Sequence, residues 1–142
     1  MTPDAVFQVC NPVAVAGWIA LMSGLWNRQP VSAAARLGGT VVPLALSGVY
    51  LAALAVHLPG APGGFSSLQG VADFFTNRWL LLAGWVHYLA FDLVVGAWEV
   101  RDANERGVPR LLVVPCLVLT FLFGPVGLLC YHGVRLRRAR MS

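Results

Sequence analysis

Lysine is absent from this sequence, and charge of either sign is scarce. Ten basic residues, all arginine, and six carboxylates amount to 11% of 142 residues, against 58% apolar residues and a mean hydropathy of +0.71. Soluble domains usually carry about 25% charged and 45–50% apolar residues. The shortfall excludes an ordinary soluble fold. The length suits a single membrane domain over residues 1–142, with about four spans of ~20 residues and no room for a separate soluble unit. Cysteine is also sparse. Cys10, Cys116 and Cys130 lie in apolar stretches without CxxC or Cys/His spacing, so they read as small buried hydrophobes and no metal or cofactor is expected. The opening residues MTPDAVFQ lack a basic region, so a cleavable signal peptide is not expected. The net charge of +4 is spread over loops and a tail rather than along one helix face, which argues against nucleic acid as a partner.

What is present is a series of apolar runs, expected to form an all-α integral membrane four-helix bundle. Span one, 5–26, is interrupted by Gln8, Asn11 and Pro12 and is expected to kink there, with Trp18 and Trp26 as headgroup anchors. A polar connection with Arg28, Pro30 and Arg36 leads into span two, 37–58, where Gly38, Gly39, Ala45, Ser47 and Gly48 permit close helix contact. His57 at its end reads as an interfacial residue. Within 59–78, the S-x-x-Q spacing of Ser66 and Gln69 resembles a capping box. It predicts a short amphipathic interfacial helix with Leu68, Val71, Ala72 and Phe75 turned inward, either a packed lid or a gate for a lipophilic molecule. Span three covers 79–100. Span four, 111–131, is read as one helix kinked at Phe123-Gly124-Pro125, and the tail 134–142 as a polybasic anchor on membrane lipid. Four crossings divide the arginines five to each side, so orientation rests on the tail, which favours a cytoplasmic C-terminus.

Chemistry concentrates in span three. An ionisable group at bilayer depth costs about 2.5–3.5 kcal/mol and usually faces a bundle interior, a cavity or a partner. At 100° per residue from His87, Trp98 falls at about 20°, Asp102 at about 60°, Glu99 at about 120° and Asp92 at about 140°, all on one side. His87 and Asp92 are expected at mid-membrane as a general acid–base pair. Glu99, Arg101 and Asp102 would form a charged mouth, with Arg101 available to pair with a carboxylate. One alternative is metal binding by His87, Asp92 and Glu99, for which one helix offers too few ligands at this spacing, so no metal is expected; the other is that His87 and Asp92 only hold helices together by hydrogen bonds. Trp79, Trp85, Tyr88, Phe91 and Trp98 are either packing residues or the lining of an aromatic pocket.

The runs GGFSSLQGVADFF, LLAGWVHYLAFDLVVGAWEVRDA and GVPRLLVVPCLVLTFLFGPVGLL resemble the family named after the plant abscisic-acid-deficient-four protein, associated with neoxanthin synthesis. The resemblance extends over about 12–131. It is carried by Trp85-x-His87, Asp92, Asp102 and Pro125-x-Gly127; the bacterial-type pattern is closer, with Arg110 where that pattern carries a histidine. It implies an integral membrane enzyme, or enzyme partner, acting on carotenoids. In plants the reaction is redox-neutral: an acid protonates an epoxide oxygen and a base removes a vinylic proton, with no redox cofactor. That demand fits the pair already read from the residues, Asp92 as acid and His87 as base, or the reverse, with Trp85, Tyr88, Phe91, Trp98, Glu99, Arg101 and Asp102 as the candidate substrate-lining residues. An all-arginine composition is expected of a GC-rich bacterial genome and so of a bacterial inner membrane, with a carotenoid other than violaxanthin, or a related isoprenoid, as substrate. A carotenoid- or lipid-binding protein without chemistry, and an accessory subunit, are the other readings; self-association or a partner carotenoid enzyme remains open with each.

Overall fold

The computed structural model describes residues 1–26 and 33–139, which form helices joined by turns. The expected Arg28/Pro30 connection and Arg140 of the tail lie outside the described residues. Helix α1 (Pro3–Ser23) starts where the Thr2 hydroxyl accepts from the Ala5 N–H at 3.3 Å, with Pro3 in its first turn, where a missing N–H costs nothing. It runs continuously through Pro12. Span two is a rod of α2 (Ala33–Arg36), a π turn (Leu37–Val41) and α3 (Val42–His57). The wide turn precedes Pro43, whose ring would otherwise strike the carbonyl four residues back. Helix α4 (Leu68–Phe74) is followed by α5 (Arg78–Arg106), which is capped by the Asn77 side chain accepting from the Trp79 N–H at 2.9 Å. Together α1, the 33–57 rod and α5 are long and apolar enough to cross a membrane.

Helix α5 is the axis of the molecule. Leu80, Val86 and Leu93 along it are fully buried, against α1 on one flank and α3 on another. Small residues set how closely the rods approach. A side chain on Gly38 would meet the Gly17 carbonyl at 2.2 Å, and one on Gly96 would meet the Trp18 ring at 2.5 Å. Trp18 is therefore a core residue rather than the expected headgroup anchor, whereas Trp26 is exposed.

Two expected elements take a different form. The α4 cap is Ser67, whose hydroxyl accepts from the Gly70 N–H at 3.0 Å, one residue later than the Ser66/Gln69 spacing predicted. Gln69 instead donates to Asp73. The buried face moves accordingly: Phe74 is 5% exposed, against 86% for Leu68, because Phe74 packs on Phe65 and Phe75 beneath the loop.

The larger difference is at 111–131. The chain stops at Gly124 and reverses, giving α6 (Arg110–Phe123) and α7 (Pro125–Ala139) as the arms of an antiparallel hairpin. Gly124 sits at φ +38°, ψ −89°, backbone that side-chain-bearing residues rarely adopt, and Pro125 then opens the return helix. The arms are in register: a Cβ on Gly127 would meet Thr120 at 2.1 Å, and the Cys116 and Cys130 sulfurs are 3.4 Å apart. A Gly–Pro pair inside an apolar run reads equally as a kink or as a turn. Here the φ of Gly124 makes it a turn.

The two ends of the molecule differ in charge. Arg78 pairs with Asp4 at 2.5 Å and His57 stacks on Trp79, so the N-terminus, the end of α3 and the start of α5 share one end. At the other end Asn104 donates to the Gly24 carbonyl at 3.5 Å and Arg138 to that of Gly107 at 3.4 Å. That end carries Arg36, Arg101, Arg106, Arg110, Arg135, Arg137 and Arg138, whereas the first carries Arg78.

Candidate functional site

Asp92, Glu99 and Asp102 lie within about 80° of one another around α5 and face the hairpin. Asp92 is near the middle of the 29-residue helix, opposite the hairpin tip. A Cβ on Gly124 would lie 2.7 Å from its Oδ1, so this position needs glycine for clearance as well as for backbone angle. The residue is 8% exposed, its Oδ2 is buried without a hydrogen-bond partner among the described residues, and the Tyr88 phenol stands beside it. An unpaired buried carboxyl oxygen costs on the order of 1–3 kcal/mol.

Above the tip, towards the Arg78 end, a polar strip runs along α1 and α5. The Trp85 indole N–H donates to Asn11 Oδ1 at 2.8 Å, Trp85 contacts the rings of Phe7 and Tyr88, and the Tyr88 hydroxyl donates to the Phe121 carbonyl at 3.3 Å. The strip leads down to Asp92.

Below the tip the carboxylates are occupied. Glu99 is fully buried, and the Thr120 hydroxyl stands 3.0 and 3.1 Å from its two oxygens. Asp102 accepts from the Tyr131 hydroxyl and from Arg106 Nε, each at 2.8 Å, with Arg135 at 3.7 Å. Trp98 adds ring contacts to Tyr131 and His132 and lies under the Arg135 guanidinium. Glu99, Asp102 and Trp98 thus hold the hairpin to α5. Among the described residues Arg101 makes no ion pair: it points about 100° away from Asp102, whereas Arg106, one turn on, shares the face of Asp102.

His87 is not with Asp92. The five-residue separation turns it about 140° around the helix, onto the face towards α3. There it stacks on Phe91 at 4.4 Å and meets the Tyr50 ring at 5.5 Å, exposed at the edge of an apolar cleft of about 230 Å³. Phe65, Phe74 and Phe75 line the cleft, with the Phe75 ring against Gly84, so α4 and its flanks cover one side of it as a lid. The expected residues therefore divide into three groups: Trp85, Tyr88 and Asp92 on the polar strip, His87 at the cleft with Phe91 stacked on it, and Trp98, Glu99 and Asp102 against the hairpin. Among the described residues no three His, Cys, Asp or Glu side chains converge as metal ligands.

Sequence reasoning did not single out Asn11, Thr120, Gly124 or Tyr131 for the site. Asn11 was legible as a polar residue in an apolar run, and Gly124 as the residue before Pro125. Thr120 and Tyr131 acquire partners only when the chain reverses, and no local pattern marks that.

The family profile described as ABA DEFICIENT 4-like matches residues 5–131. The chain belongs to that family. No curated protein and no solved structure matches it. Membership in the ABA DEFICIENT 4-like family and three long apolar helices together make this a carotenoid-related membrane protein.

Proposed function

We propose that the chain is a membrane-embedded enzyme that isomerises a carotenoid or related isoprenoid without redox change, with Asp92 as the proton-transferring group. The observation that carries the reading is the unpartnered Asp92 Oδ2, buried at mid-helix beside Tyr88 and at the foot of an aromatic strip. An epoxide-to-alcohol isomerisation neither gains nor loses protons. The carboxylic acid gives its proton to the opening epoxide oxygen and its other oxygen takes the proton leaving carbon, so the acid is restored at each turnover. Tyr88 orients the carboxyl group. His87 lines the cleft on the other face of α5 and is not the partner base.

The same reading places α1, the 33–57 rod and α5 across a bacterial inner membrane, with α6 and α7 entering from one face and returning to it. Fourteen residues of α6 give roughly 21 Å, short of the ~30 Å hydrocarbon core, so the tip with Asp92 stays at mid-depth. Backbone that breaks at this depth is tolerated where it is covered by protein, as Gly124 is by α5. Seven described arginines on one end against one on the other make the arginine-rich end cytoplasmic. Helix α4 then lies at the opposite interface.

Expression in a carotenoid-producing host, with pigments separated by chromatography, tests the activity. The wild type should convert a pigment to an isomer of equal mass. Asp92→Asn should lose at least ~100-fold of that conversion while accumulating normally. An unaltered pigment profile with the wild type would overturn the proposal, and copurification of unchanged pigment by both proteins would make the chain a binding protein.

A further inference from the structure

Arg36 and Arg101 line a second cleft, of about 240 Å³, at the arginine-rich end between α1, the π turn and α5. The other arginines packed near α5 there are committed: Arg106 and Arg135 both bind Asp102. Arg36 and Arg101 form no ion pair among the described residues, not even Arg101 with Glu105 one turn beyond it. Two like charges are thus held at one concavity. The backbone holds them there, because a Cβ on Gly39 would strike Ala97 at 2.6 Å, which pins the π turn that follows Arg36 against the turn of α5 carrying Arg101. Neutral polar groups complete the rim, the Thr40 hydroxyl and the Asn104 amide. The floor is apolar, made by Leu21 and Val100.

We propose that this cleft binds the phosphate of an anionic membrane lipid, with the guanidinium groups of Arg36 and Arg101 on the phosphate oxygens and the lipid chains leaving along the apolar floor. Depth agrees with a headgroup. Arg101 is roughly 35 Å along α5 from Arg78, so with Arg78 at one surface of a ~30 Å hydrocarbon core Arg101 reaches the other. Charge agrees as well: arginine forks match phosphate geometry, and basic pockets between membrane helices on the cytoplasmic side hold anionic headgroups. The apolar floor selects a lipid over free phosphate. The site is independent of the isomerase reading and on the opposite end from the lidded cleft.

Thermal unfolding of the full chain in neutral detergent tests it, with phosphatidylglycerol, phosphatidylcholine or inorganic phosphate titrated in. Phosphatidylglycerol should raise Tm to a plateau, and the other two should not. Arg36→Gln and Arg101→Gln should each weaken the apparent affinity for phosphatidylglycerol roughly fivefold. Arg36→Lys and Arg101→Lys, which keep the charge but lose the fork, should lose less than the Gln variants, and Arg137→Gln should lose nothing. Stabilisation by phosphatidylcholine to the same plateau would overturn the proposal, as would full stabilisation by inorganic phosphate. So would equal losses in the Gln and Lys variants, which would trace the effect to packing rather than charge. The wild-type comparison of three ligands stands even if a variant does not fold.

Discussion

At the scale of single residues, the site depends on contacts that tolerate little change. Gly124 is constrained twice, by φ +38° and by 2.7 Å of clearance to Asp92. Gly124→Ala should therefore lower stability by on the order of 1–3 kcal/mol, read as a fall in Tm in detergent, and should displace the carboxyl group as well. Thr120 provides the hydroxyl beside a fully buried Glu99. Thr120→Val should cost about 1–3 kcal/mol, because a buried acceptor loses its donor. Combining it with Glu99→Leu should recover part of that loss, since removing both polar partners leaves none unsatisfied. A double-mutant cycle would measure the coupling, and strict additivity would show that the contact carries no energy. Asp92 itself was legible as a carboxylate in an apolar run. Its separation from His87 was contained in the five-residue spacing, but only neighbouring helices show that 140° puts the two against different partners.

Among the elements, the three long helices could be read from hydropathy because each is a self-sufficient apolar run of adequate length. Their ends differ by a few residues, as caps such as Asn77 and the π turn before Pro43 shift them. The last run was not legible in the same way. Leu111 to Tyr131 has the length and composition of one span, and only the reversal at Gly124 divides it. The hairpin makes a sharp prediction. Cys116 and Cys130 sulfurs lie 3.4 Å apart across its arms, whereas one straight helix would separate these residues by roughly 21 Å. Mild oxidation of the folded protein should link them within one chain, detected as a loss of two hydrogens by intact mass and protection of both thiols from alkylation. Free, alkylatable thiols after oxidation would favour the continuous helix.

For the molecule as a whole, the hairpin changes the count of crossings, and with it the distribution of charge. Four crossings would put both termini on one side and split the arginines evenly. Three crossings and a hairpin, as proposed above, would put the termini on opposite sides; the described arginines, Arg78 excepted, gather at the C-terminal end. Reporter fusions should accordingly place the C-terminus in the cytoplasm and the N-terminus across the membrane; a shared side would contradict the hairpin. The half-depth hairpin has a mechanical consequence too. One leaflet would be pierced by three helices and the other by five, each about 10 Å across. In the proposed orientation the body would be a wedge, wider towards the cytoplasm, and its cheapest home a bilayer whose cytoplasmic monolayer is stretched. Shape alone would concentrate it where the membrane bows towards the cytoplasm.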